Sequence, residues 1–380
     1  MKIILITGIV LILISLIKRN KYTPYIGFAF VFLIMGFQSN VQGDYYGYLD
    51  NFQQIQMHGS ADTRTIESEP FHPFLMRLFS FGPWWIFVVF TTAFQTLVLI
   101  KFVNKYCNKS YQWIAAILFF FTFNMMLLQM KAMRQALSIE MMLSSFLIMD
   151  CELKKTNTFK IPWKALLIAY LAYITHNSSL ICVPFLFLFW FALRKPEKME
   201  KFGKGKQFPW IMVGIYAFAI IIKETLFRQY LEEWALWAFT DSDNQYIGYI
   251  DGSSINSFQN QDTVTPSYYV LFYGTIVYFS AMCLQKSNAK IRVFCFISIL
   301  SAIGEMIFFG MGALPRIVMG LSVFSLVTFP LVISYIQKNY GVNVSIGYLV
   351  LSIIMLAKLS VPWMLETADG QFGTYTFIFL

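Results

Sequence analysis

Residues 83–100 run PWWIFVVFTTAFQTLVLI, eighteen residues without a charge before Lys101. Wound as an α-helix at about 1.5 Å per residue, such a run covers roughly 27 Å, close to the hydrocarbon thickness of a bilayer. Trp84 and Trp85 at one end and Lys101 and Lys105 at the other are residue types that settle at membrane boundaries. Comparable runs occupy residues 3–17, 24–38, 111–128, 132–149, 163–175, 177–193, 208–222, 268–284, 293–310, 316–335 and 346–362. The chain is 57% hydrophobic and 13% charged, with a mean hydropathy of +0.59. A water-soluble chain of 380 residues has too little polar surface at that composition. Backbone groups inside lipid must pair within their own segment, which selects helices. The expected fold is therefore an all-α polytopic membrane protein of about 12 transmembrane helices. It forms a single transmembrane domain over residues 1–380, with two large outer loops at residues 39–82 and 223–267. The first run resembles a signal peptide, but Lys18, Arg19 and Lys21 follow it in place of a small-residue cleavage site.

Orientation follows from the basic residues, which stay on the cytoplasmic side. Alternate connections hold 20 of the 29 Lys and Arg, the densest being Arg194, Lys195, Lys198, Lys201, Lys204 and Lys206. The opposite side holds 14 of the 20 Asp and Glu, and both termini are assigned to it. The run at 163–193 is long for one span. Basic blocks at both its ends require an even number of crossings, so a turn is placed at residues 175–179. The net charge of +9 is spread over short juxtamembrane loops and implies no nucleic-acid surface. The five cysteines lie in spans or at their cytoplasmic ends, which argues against a disulfide framework. Neither GxGxxG nor GxxxxGK occurs, so no nucleotide site is expected, and no acidic pair has metal-ligand spacing. No metal and no cofactor is assigned.

The first outer loop contains Asp44-Tyr45-Tyr46-Gly47-Tyr48 and Glu69-Pro70, followed by an amphipathic stretch at 71–81 expected to lie on the membrane surface. The second begins in a helix-like manner at residues 224–237 and becomes rich in Asp, Asn, Gln, Ser and Gly, the composition of a substrate-covering loop or of plain surface.

Charges at the edge of hydrocarbon are costly and commonly mark a substrate path. Lys131, Arg134 and Gln135 lie in a turn leading into an inward-running helix, whose first N–H groups and positive dipole end favour an anion. Pro315-Arg316 repeats the arrangement, with Pro at the first helical position. Two such cationic sites on one face suit a diphosphate; snorkelling anchors are the plainer reading of each alone. His176, in Thr175-His176-Asn177-Ser178-Ser179, stands at another outer turn, where Asn or Ser is expected to cap the next helix. Asp44 and Glu69 are the general-base candidates, and Tyr45 and Tyr48 are rings that stack on sugars. Glu140 and Glu305, inside spans, are candidates for neutralising Arg134 or another cation.

These segments together resemble the EpsG-like branch of the Wzy-type polysaccharide polymerases: Asp44-Tyr45-Tyr46-x-Tyr48, Glu69-Pro70, Arg134-Gln135-Ala136-Leu137, the His176 turn and Pro315-Arg316. The resemblance implies a membrane glycosyltransferase of GT-C-like architecture in a bacterial cytoplasmic membrane, extending O-antigen, capsule or exopolysaccharide chains outside the cell. Its substrates are then polyprenyl-diphosphate-linked oligosaccharide donor and acceptor, with membrane lipids and a chain-length regulator as further partners. Glu69, Asp44 and His176 take the catalytic positions; Arg134, Arg316, Lys131, Gln135, Tyr45 and Tyr48 bind diphosphate and sugar. A flippase for lipid-linked oligosaccharide and a membrane acyltransferase of polysaccharide are the alternatives.

Overall fold

The computed structural model describes residues 6, 8, 10, 23–39, 44–59, 69–122, 125–155, 161–223, 267–309, 315–365 and 376–377. The first expected span and the second outer loop lie almost wholly outside the described residues, as do Glu67, Ser68 and residues 310–314. The described chain is helical, apart from an antiparallel pairing of two residues each, Gln38 with Phe377 and Ser39 with Thr376.

The helices are α1 (Thr23–Gly36), α2 (Asp44–His58), α3 (Phe71–Phe79), α4 (Trp84–Tyr106), α5 (Gln112–Phe121), α6 (Met126–Lys131) and α7 (Met133–Lys155). They continue with α8 (Trp163–Thr175), α9 (Val183–Arg194), α10 (Pro196–Met199), α11 (Phe208–Lys223), α12 (Ser267–Lys286), α13 (Ala289–Ile307), α14 (Pro315–Ser322), α15 (Ser325–Tyr340) and α16 (Val342–Leu365). Among the described residues, three helices are long and apolar enough to cross a membrane: Trp84–Tyr106, Asn177–Arg194 and Ser267–Lys286. Four shorter apolar helices are Tyr25–Gly36, Trp163–Thr175, Phe208–Lys223 and Val342–Lys358. Their outward faces carry Phe90, Leu97, Leu167, Tyr170, Phe218 and Ile354, all exposed, as expected of side chains solvated by lipid. The protein is a multi-pass membrane protein.

Helix α7 is the exception that organises the rest. It carries Glu140, Ser138 and Ser145, each without solvent exposure, and packs against α8, α4 and α9. A helix with that polar content avoids lipid by standing inside the bundle. Small residues permit its neighbours to close in: a Cβ on Gly304 of α13 would stand 2.4 Å from Val318 of α14, so α14 lies hard against α13 there.

Two expected spans are interrupted. The run at 111–128 is a 3-10 turn, then α5, a break at Thr122 in extended conformation, and α6. The run at 316–335 breaks at Val323 and Phe324, between α14 and α15. There the Ser322 hydroxyl donates to the Met319 carbonyl at 2.9 Å and that of Ser325 to the Ser322 carbonyl at 2.7 Å, local bonds that compete with a continuous helix. The amphipathic stretch forms α3, with Phe74 and Leu78 exposed and His72 and Met76 buried. Residues 44–58, read as loop, form α2. Tyr45, Tyr48, Phe52 and Ile55 are buried along it, a three-and-four spacing that the intervening Gly47, Asp50, Asn51 and glutamines obscure.

Candidate functional site

Five segments distant in the chain meet where these helices begin or end. Glu69 directly precedes Pro70, which restricts its backbone and stands before α3. Arg134 and Gln135 occupy the first turn of α7, as expected. Arg316 is the second residue of α14, behind Pro315. His176 closes α8 and opens the 3-10 turn Asn177–Cys182. Asp44 is the first residue of α2.

The Glu69 side chain is buried to 2% exposure, and its Oε2 lies 2.9 Å from Arg134 Nη1. Its Oε1 accepts the Asn177 N–H at 2.9 Å, using the open donor at the start of a helical segment. Arg134 is thus paired with Glu69, a carboxylate other than Glu140 and Glu305, the span acids that the sequence offers for Arg134 or another cation. Arg316 Nη1 lies 3.1 Å from Asp44 Oδ2. Gln135 ties the two pairs together, its amide donating to the Arg316 carbonyl at 2.6 Å and to the Ser178 hydroxyl at 3.1 Å.

His176 Nδ1 accepts the Ser178 N–H at 3.2 Å, so the histidine is its own cap and neither Asn177 nor Ser178 serves as one. That bond leaves the ring proton on Nε2. Burial, with Arg134 and Arg316 nearby, lowers its pKa to about 3, so it is neutral at physiological pH. Its Nδ1 stands 3.4 Å from Glu69 Oε1. The Glu69 carboxyl is moved the other way: burial raises its pKa, while Arg134 and the Asn177 N–H pull it down. The balance leaves Glu69 with more proton affinity than an ordinary glutamate.

The floor of the site is aromatic. The Arg134 guanidinium lies 5.9 Å from the Tyr48 ring centre, and Tyr48 packs on His72 at 5.4 Å. Tyr45 accepts the Trp84 indole N–H at 3.0 Å. At 2% and 8% exposure, Tyr45 and Tyr48 lie under the cluster and present no open face to a sugar, and Tyr46 is the exposed one of the three. Their rings are the apolar stripe of α2, which a loop reading left unassigned. Lys131 is likewise buried, at the end of α6. His72, a residue of the amphipathic stretch not marked by its sequence, enters the site only when α3 packs beside α8. Among the described residues no three His, Cys, Asp or Glu side chains form a group able to hold a metal.

The arrangement is a pair of guanidiniums, each held by a carboxylate, with side-chain exposures of 20% for Arg134 and 32% for Arg316. Forked, always-charged donors of this kind bind phosphate oxygens, and a desolvated carboxylate beside them accepts a proton. A model of the EpsG family matches residues 4–368. The chain belongs to the EpsG family. Membership over nearly the whole length points to a polymerase of polysaccharide biosynthesis. No curated protein and no solved structure matches the chain.

Proposed function

We propose that this EpsG-family protein is a membrane glycosyltransferase that joins polyprenyl-diphosphate-linked oligosaccharide repeat units on the outer side of a bacterial cytoplasmic membrane. The fuller architecture in this reading is GT-C-like, with about 12 spans in one domain, both termini outside, and a chain-length regulator as partner. The observation that carries it is the coupled pair Glu69–Arg134 and Asp44–Arg316, bridged through Gln135 at two helix N-termini.

The pairing supplies a trigger. A diphosphate brings two or more negative charges to guanidiniums that each hold one carboxylate, and so competes Glu69 away from Arg134. Arg134 holds the Glu69 pKa down and burial holds it up; with Arg134 turned to phosphate, burial is opposed only by the weaker pull of the Asn177 N–H. The carboxylate then takes the proton of an acceptor hydroxyl. That oxygen bonds to the anomeric carbon, the bond from this carbon to phosphate breaks, and the lipid diphosphate leaves on Arg134 and Arg316. His176 Nδ1 lies 3.4 Å from Glu69 Oε1 but its lone pair is taken by the Ser178 N–H, so His176 holds the turn that presents the Asn177 N–H to Glu69 and is not the base. Asp44, with a third of its side chain exposed, serves as the counter-ion of Arg316.

Purified protein in lipid nanodiscs, given lipid-linked repeat units, is expected to lengthen the chains without ATP or a membrane gradient. Translocation without elongation in liposomes assigns a flippase instead, and a product heavier by one acyl group assigns an acyltransferase.

A further inference from the structure

A second ordered row of cations and rings stands at the outer ends of α11, α12, α13 and α16, away from the Arg134 cluster. Lys358 Nζ lies 4.3 Å from the Tyr268 ring centre. Tyr268 is followed by Tyr269 at 5.4 Å and Tyr269 by Phe309 at 5.5 Å. Lys223 Nζ closes the row, 5.1 Å from the Phe309 ring. Lys358 is exposed, Tyr268 and Phe309 are half-buried, and Lys223 is buried. The Tyr269 hydroxyl is buried without a hydrogen-bond partner, a costly arrangement that an occupant supplying an acceptor relieves. Tyr269 also stacks on Tyr273. Tyr273 and Glu305 line a small cavity together with Ser298, Ser301 and Thr328.

Two lysines used only as interfacial anchors would reach toward headgroups without a shared row of rings or an orphaned phenol between them. Rings flanked by ammonium groups, with hydroxyls and a carboxylate behind, match a sugar carrying a phosphate. The half-buried rings of Tyr268 and Phe309 cover sugar faces, and the buried Tyr269 offers its hydroxyl and not its face. Ammonium groups take phosphate oxygens, and hydroxyl and carboxylate groups pair with sugar hydroxyls.

We infer that Lys223 and Lys358, with Tyr268, Tyr269 and Phe309 between them, form a second diphosphate site that holds the acceptor substrate. The inference rests on the polymerase reading, which gives it a geometric necessity. In the acceptor, the attacking hydroxyl and the lipid diphosphate stand at opposite ends of the repeat unit. While the hydroxyl lies at Glu69, its diphosphate is one oligosaccharide away and needs cations of its own. Helix α13, which ends two residues before Phe309, packs directly against α14, which carries Arg316, so the two sites are carried by adjoining helices.

The test counts farnesyl diphosphate, a sugar-free probe, bound to the full chain in phosphatidylcholine nanodiscs, by native mass spectrometry and by titration. Wild type is expected to take two molecules, and both the Lys223→Met/Lys358→Ala and the Arg134→Ala/Arg316→Ala variants one each. Lys358→Ala alone, an exposed substitution compatible with folding, is expected to weaken one of the two sites about tenfold. A lysine variant that still binds two molecules, or a wild type that binds one molecule which the lysine variant keeps, overturns the proposal. Displacement of the lysine-dependent molecule by phosphatidylglycerol also overturns it, since the row is then a lipid-headgroup anchor. If the lysine variant loses one molecule while the arginine variant loses none, the second site stands and the first is misassigned.

Discussion

Two buried carboxylates in this molecule, Glu69 beside the first turn of α7 and Asp150 near the opposite end of that helix, are solved in different ways. Asp150, 1% exposed, faces Lys105 at 3.0 Å, Lys290 and Lys154, and accepts the Tyr106 hydroxyl at 3.2 Å. Three ammonium groups more than neutralise it, and they come from α4, α7 and the start of α13. Glu69 has one guanidinium, one backbone N–H and a neutral imidazole. The over-compensated acid is a staple that locks helices together. The barely compensated one is held where a competing anion is able to release it.

The largest expected effect separates the two sites by function. Arg134→Ala and Arg316→Ala each lower the polymerisation rate about 100-fold or more, as loss of a transition-state contact does, with protein still inserted and folded. If ladders of normal length persist in both variants, the anion site is wrongly placed. Asp150→Asn is expected to do the converse. It lowers the unfolding free energy by about 1–3 kcal/mol, read in detergent by thermal melting, and leaves the rate per folded molecule unchanged. A loss of rate at unchanged stability would make Asp150 more than a staple.

How far these two sites were readable beforehand differs in the same way. Long apolar runs mark helices because burial in lipid demands them, and α4, α8, α11 and α12 lie within a few residues of the runs that announced them. The break at Val323 is hidden because hydropathy is blind to the local bonds of Ser322 and Ser325, and the break at Thr122 because the run around it is apolar on both sides. Helix α2 was hidden too: its four buried residues are diluted by polar neighbours that face outward. Glu69, Arg134, His176 and Arg316 stood out as charges or a histidine beside hydrocarbon, but their pairing was not legible. Arg134 is 65 residues from Glu69, and only the packing of α3 beside α8 and the turn after it brings them together. The tyrosines illustrate the limit: the same rings that advertise sugar stacking in sequence form, once α2 winds, the underside of the site.

A smaller effect sharpens the comparison within the Glu69 site. His176→Asn is expected to slow polymerisation about tenfold, the order of one lost supporting hydrogen bond, without adding or removing a titration between pH 5 and 8. The sign follows from its lowered pKa of about 3: the ring is neutral across that range, so no proton leaves or joins it there. A rate step near pH 6.5 that vanishes in the variant would return His176 to the role of base.

The most direct measurement is the pH dependence of chain elongation by the reconstituted protein, wild type beside Glu69→Gln. Because burial raises the Glu69 pKa above its ordinary value of 4.5, protonation removes the base as pH falls through that raised value. The wild-type rate is therefore predicted to decline on the acid side at a pH above 4.5, and Glu69→Gln to be at least about 100-fold slower at every pH. A Glu69→Gln protein that elongates chains within a few-fold of wild type, with the same acid limb, would contradict the account.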